Sequence, residues 1–154
     1  MMKLCSEVIQ TLTGKTLVTA ESCTGGGIGA AITAVPGSSS VYKGGIISYC
    51  NEIKNSLLNV DASHLEEFGA VSATVAEEMA TGARIALRAD IAVSVTGLAG
   101  PDGDEFGNPV GTVFIGYCDD NLTLSRKFRI SGDRNTVRQQ SVIAALKLIL
   151  EMNK

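Results

Sequence analysis

Apolar positions along the first third of the chain change period repeatedly. Leu4, Val8 and Leu12 recur at helical spacing, and Gly14 suits a left-handed end to that helix. Thr16–Ala20 then reads as a buried strand, and Thr24–Ala34 resumes helical spacing through Ile28 and Ile32 before the loop Pro36–Ser40. Gly44–Cys50 predicts a second strand, followed by a short helical piece through Lys54 and Leu58. Ser63 and Glu66 have the spacing of a capping box and predict another short helix. After Gly69, Ser72 is placed to cap a helix whose apolar stripe is Ala76, Met79, Ala80 and Ala83, running to about Arg88.

Ile91–Val95 reads as a third buried strand. The loop from Thr96 to Pro109 follows, long and rich in glycine, as functional loops in compact domains often are. Val110–Cys118 and Asn121–Ile130 are predicted strands joined by Asp119-Asp120 as a hairpin. Asp133 can cap a last helix that buries Val142, Ala145, Leu146 and Ile149. Strands alternating with helices predict an α/β fold in three α/β/α layers, one domain over residues 1–154. Its sheet should be mostly parallel, with about five strands and one antiparallel hairpin member.

Composition narrows the function. Charged residues make up 19% of the 154-residue chain, with a net charge of -3 and no run of like charge, which argues against a nucleic-acid-binding surface. The first residues turn polar too soon for a signal peptide, and no apolar stretch approaches a membrane span, so the expectation is a cytoplasmic protein. The four cysteines, Cys5, Cys23, Cys50 and Cys118, are too scattered for a disulfide framework or a zinc site. No metal or cofactor is expected.

In parallel sheets, ligands bind beyond the carboxyl ends of the strands. That rule gathers Ser22, the segment Tyr49–Lys54, and Thr96 with its glycine-rich loop at one edge. A serine needs a base to become a nucleophile. The only histidine, His64, falls in a polar first helical turn, where an exposed structural role is the better reading. A lysine can serve when burial lowers its pKa, and Lys54 is placed for that, although spacing alone favours a solvated charge. Cys23 is a rival nucleophile, because a helix N-terminus lowers a thiol pKa.

Thr24, Gly25 and Gly26 open a helix directly after a strand, so their N–H groups could hold a phosphate or an oxyanion; tight helix-on-sheet packing explains the glycines as readily. A stretched dinucleotide fingerprint over Gly25–Gly29 with Glu52 as ribose acid is weak. Arg134 and Arg138 could bring guanidinium groups to a phosphate, or could simply be exposed.

Ala20-Glu21-Ser22-Cys23-Thr24-Gly25-Gly26, Tyr49-Cys50-Asn51-x-x-Lys54, Gly69-Ala70-Val71-Ser72, Thr96-Gly97-Leu98-Ala99-Gly100-Pro101-Asp102-Gly103, Pro109-Val110-Gly111-Thr112-Val113 and Gly132-Asp133-Arg134 together resemble the CinA C-terminal domain family. The resemblance covers the chain from about Thr16 to Arg138, and the family includes stand-alone nicotinamide mononucleotide deamidases. It implies hydrolysis of that nucleotide's carboxamide to nicotinate mononucleotide and ammonia, with no metal, as a step in pyridine nucleotide recycling.

By the matching positions the resemblance makes Ser22 the nucleophile, Lys54 the general base and Tyr49 a hydroxyl that relays or orients the proton. Thr96, with Gly97, would line the site beside the amide. It further implies a homodimer in which Arg134 reaches a neighbouring subunit's substrate phosphate. Cys50 and Ser131 stand where many members carry Ser and Pro. The chain begins only a helix before the first motif, so it resembles the stand-alone form. A non-catalytic nucleotide sensor, or an interaction module connected with competence or damage response, remains the alternative.

Overall fold

The computed structural model describes residues 1–154. Its helices are α1 (Met2–Thr11), α2 (Gly27–Thr33), α3 (Asn51–Leu58), α4 (Ala62–Phe68), α5 (Ala73–Leu87) and α6 (Arg134–Met152). The strands are β1 (Leu17–Glu21), β2 (Tyr42–Ile47), β3 (Ile91–Gly97), β4 (Thr112–Cys118) and β5 (Thr123–Arg129), ordered β2-β1-β3-β4-β5 in one sheet. β1 pairs in parallel with both β2 and β3, while β4 runs antiparallel to β3 and β5 antiparallel to β4. Four strands therefore share one direction and β4 alone opposes them, as the hairpin signal predicts.

Alternation along the strands builds two cores. Leu17, Val93, Val95 and Ile115 face one layer and pack against Val8, Leu12, Ile28, Ile32, Leu146 and Ile149 of α1, α2 and α6. Val18, Ala20 and Ala92 face the other, against Leu58, Leu65, Val75, Met79 and Ala83 of α3, α4 and α5. The second layer is lined by small residues, and α5 sits close to it: Ser94 donates a hydrogen bond to the Ala76 carbonyl. Gly82 permits the same intimacy with α3, because a Cβ there would lie 1.8 Å from the Leu58 carbonyl oxygen. Gly82→Ala should destabilise the fold by about 2 kcal/mol despite alanine's better helix propensity, since backbone must move to admit a methyl group. Calorimetry should show the midpoint falling by roughly 5 °C.

Several element limits differ from the sequence-based expectation. α4 is capped by Asp61, whose carboxylate accepts from both the N–H and the hydroxyl of Ser63. Ser63 therefore lies inside the helix, because the charged carboxylate two residues earlier is the stronger acceptor. β2 ends at Ile47, so Tyr49 and Cys50 fall in the loop after it, and α2 starts at Gly27, three residues beyond Thr24. The caps expected at Ser72 and Asp133 are present, accepting from the N–H groups of Val75 and Thr136. No helix is long and apolar enough to cross a membrane.

Candidate active site

Because β1, β2 and β3 are parallel, Ser22, Ser48 and the loop after Gly97 leave the sheet at one edge. β5 runs the same way, so α6 begins there too. A cleft of about 280 Å³ opens at that edge, lined among others by Ser22, Cys23, Tyr49, Lys54, Thr96, Gly97 and Arg134.

Ser22 continues the β1 ladder, its N–H donating to the Val95 carbonyl at 3.0 Å, which fixes the nucleophile candidate's backbone. Lys54 reaches it from α3. The lysine is 1% exposed, and its Nζ lies 3.0 Å from Ser22 Oγ, 2.7 Å from the Ser48 carbonyl and 3.4 Å from the Tyr49 carbonyl. Burial pulls the pKa of Lys54 down to about 8, against the smaller opposing influence of Cys50 and Cys23. A neutral amine has two N–H donors and one lone pair. With the carbonyls of Ser48 and Tyr49 taking the donors, the lone pair is left for the Ser22 hydroxyl. This geometry suits proton abstraction at near-neutral pH.

Cys23 stands beside Ser22, but burial pushes its thiol up to about 11, so it stays protonated and is a poor nucleophile. His64 is remote from the cleft: its Nδ1 lies 2.6 Å from a Glu78 carboxylate oxygen on α5, which raises its pKa.

The other residues expected in the site divide into two sets. Thr96 is buried in the cleft wall, its hydroxyl donating to the Ala70 carbonyl at 2.7 Å. Arg134 crosses the mouth within the same chain, donating from Nη1 to the Gly100 carbonyl at 2.6 Å and from Nη2 to the Tyr49 hydroxyl at 3.1 Å. Tyr49 is 62% exposed, and only its carbonyl touches Lys54. Its hydroxyl lies at the cleft mouth, where it accepts from Arg134 Nη2.

The Thr24 side chain and the glycines Gly25 and Gly26 do not line the cleft. The Thr24 hydroxyl donates to Glu21 at 2.7 Å, and the same buried carboxylate accepts from the N–H groups of Ile28 at 2.8 Å and Gly29 at 3.1 Å. Glu21 thus occupies the N-terminus of α2, which leaves no free helix end for a phosphate. Gly25 and Gly26, with φ of +60° and +98°, take the left-handed backbone that the turn requires. Glu52, the possible ribose acid, faces a neighbouring groove. Sequence reasoning missed Glu21, although a carboxylate ending an otherwise apolar strand is itself a signal of a buried partner. It also passed over Asn51 and Asp102, which line the cleft.

Known proteins share this architecture. The profile of the CinA C-terminal domain family matches residues 2–153. A CinA-like protein of Acaryochloris marina is 50% identical over 135 residues, covering 86% of this chain and 32% of that protein. One from Thermosynechococcus vestitus is 50% identical over 138 residues, 88% of this chain and 33% of its own length. The chain therefore spans about a third of the length of these curated relatives. Among solved structures, a CinA superfamily protein from Escherichia coli superposes with a TM-score of 0.96 at 35% identity, covering 98% of this chain and 89% of that one. The competence damage-inducible protein A of Klebsiella pneumoniae gives 0.95 at 37% identity, covering 97% and 94%. With its fold, its site motifs and a family match over nearly the whole chain, this protein belongs to the CinA C-terminal domain family.

Proposed function

We propose that the cleft is a serine-lysine amidohydrolase site that converts nicotinamide mononucleotide to nicotinate mononucleotide and ammonia. The observation that carries this reading is the buried Lys54 amine 3.0 Å from Ser22 Oγ. A module that only bound a nucleotide would gain nothing from burying an amine against a hydroxyl, since burial costs free energy that a solvated lysine avoids.

In the proposed cycle Lys54 takes the Ser22 proton as Oγ attacks the carboxamide carbon. The developing oxyanion is held by the N–H groups of Cys23 and Thr24. Lys54 returns the proton to the leaving nitrogen, ammonia departs, and water, activated by the same amine, hydrolyses the acyl-serine. The positive charge of the pyridinium ring disfavours protonated Lys54 and so helps keep the base neutral. Arg134 holds the phosphate at the cleft mouth as a charge-assisted donor.

Purified protein incubated with nicotinamide mononucleotide should release ammonia and nicotinate mononucleotide in equal amounts. Binding of the nucleotide with no ammonia release would end the hydrolase reading in favour of a sensor. Arg134→Ala should raise KM about 10- to 100-fold, the loss of one charge-assisted contact, with kcat nearly unchanged. An unchanged KM would remove Arg134 from phosphate recognition.

A further inference from the structure

Arg138 lies one turn beyond Arg134 on α6, where a second phosphate contact would be expected, yet its guanidinium points inward. Its Nε donates to the Cys23 carbonyl at 3.1 Å and its Nη2 to the Thr24 carbonyl at 3.3 Å. These are the two residues directly after Ser22. In a trans peptide the C=O and N–H point in opposite directions, so drawing the Cys23 carbonyl toward α6 turns the Thr24 N–H away from it. Away from α6 is the opposite layer, from which Lys54 reaches Ser22.

Cys23 and Thr24 are 6% and 1% exposed, and neither backbone N–H donates to another residue of the chain. Buried backbone donors are nearly always paired. Two consecutive unpaired ones beside an activated hydroxyl form a receptor for a negative oxygen that develops during reaction. We propose that Arg138 is a positioning residue that, by gripping the Cys23 carbonyl, holds the Thr24 N–H of the same peptide toward the oxyanion, while its second contact, to the Thr24 carbonyl, steadies the turn that presents the Cys23 N–H. The proposal rests on Ser22 being the nucleophile of an acyl transfer; Arg138 itself touches no reacting atom.

A fluorophosphonate tests this without the nucleotide. Ser22 Oγ bonds to phosphorus, fluoride leaves, the hydroxyl proton passes to Lys54, and the phosphoryl oxygen takes the place of the oxyanion. Arg138→Ala should label at Ser22 roughly 10- to 100-fold more slowly than wild type, as expected for misplaced donors. Its kcat for ammonia release should fall by a similar factor while KM stays within about threefold, a split that general loosening would not produce. Arg138→Lys, which keeps charge but lacks the two-pronged fork, should recover part of the rate.

A folded Arg138→Ala protein that labels at the wild-type rate, or whose loss lies in KM alone, overturns the proposal. If that variant melts below the assay temperature, Arg138→Lys decides: an intermediate rate supports the role and a wild-type rate overturns it. Wild type that labels at Ser22 but releases no ammonia from nicotinamide mononucleotide would sink the substrate reading and leave the Arg138 result standing. Wild type that takes no label at Ser22 would overturn both.

Discussion

Ser22→Ala should fold normally, bind nicotinamide mononucleotide with nearly unchanged affinity, and release ammonia at least about a thousand-fold more slowly than wild type. The size of the effect follows from covalent catalysis: without Oγ there is no acyl-enzyme, and only the oxyanion donors and substrate positioning remain. The fold should tolerate the change, because the one hydrogen bond that Oγ makes is with Lys54, whose Nζ keeps the carbonyls of Ser48 and Tyr49. Ammonia release and calorimetric titration with the nucleotide, side by side, separate chemistry from binding. Retention of a tenth or more of the wild-type rate would disqualify Ser22 as nucleophile. Cys23→Ser makes a useful companion, since a thiol held at about 11 is not expected to carry the reaction.

Lys54→Met should lower kcat by about a thousand-fold or more with little change in KM, removing the base while filling the same space. Equal losses in binding and turnover would assign Lys54 to substrate contact instead. The pH dependence of wild type supplies an independent check. Burial lowers the pKa of Lys54 to about 8, so the base-competent neutral form is the minor species at pH 7 and dominates above pH 8. Below that value kcat/KM should rise about tenfold per pH unit and then level off. A flat profile between pH 6 and 9 would contradict a lysine base. Any residual activity of Lys54→Met should lose this inflection.

The convergence of Ser22, Lys54 and Thr96 was legible because it needs only strand order and direction. Parallel strands put their carboxyl ends at one edge, and β1, β2 and β3 obey that rule whatever side chains follow. The hairpin at Asp119-Asp120 was legible for a similar reason, since polar turn residues between two strand patterns leave few alternatives. Limits of elements were less so. Ser63 and Asp61 both carry capping oxygens two residues apart, and the choice between them depends on which carboxylate or hydroxyl meets the free N–H groups in space.

Local sequence also fixed the glycines of the Ser22 turn without revealing what they serve. Positive φ at Gly25 and Gly26 allows strand to pass into helix, and that need exists whether or not a ligand is near. Their neighbours decided the matter: Glu21 fills the helix end, so the glycines shape the site rather than line it.

By itself, then, the order of apolar and polar residues determined an α/β sheet and the edge at which Ser22 and the segment Tyr49–Lys54 gather, while the pairing of Ser22 with Lys54 came from the motifs shared with the family. The sheet and its edge follow from periodicity and strand direction, which are properties of the chain taken a few residues at a time. Only the tertiary structure decided that Lys54 is buried enough for its pKa to fall to about 8, and that Tyr49 offers Lys54 its carbonyl. It alone separated Arg134, at the mouth of the cleft, from Arg138, clamped on the nucleophile turn. Desolvation and hydrogen-bond direction depend on elements distant in sequence, so no local pattern encodes them.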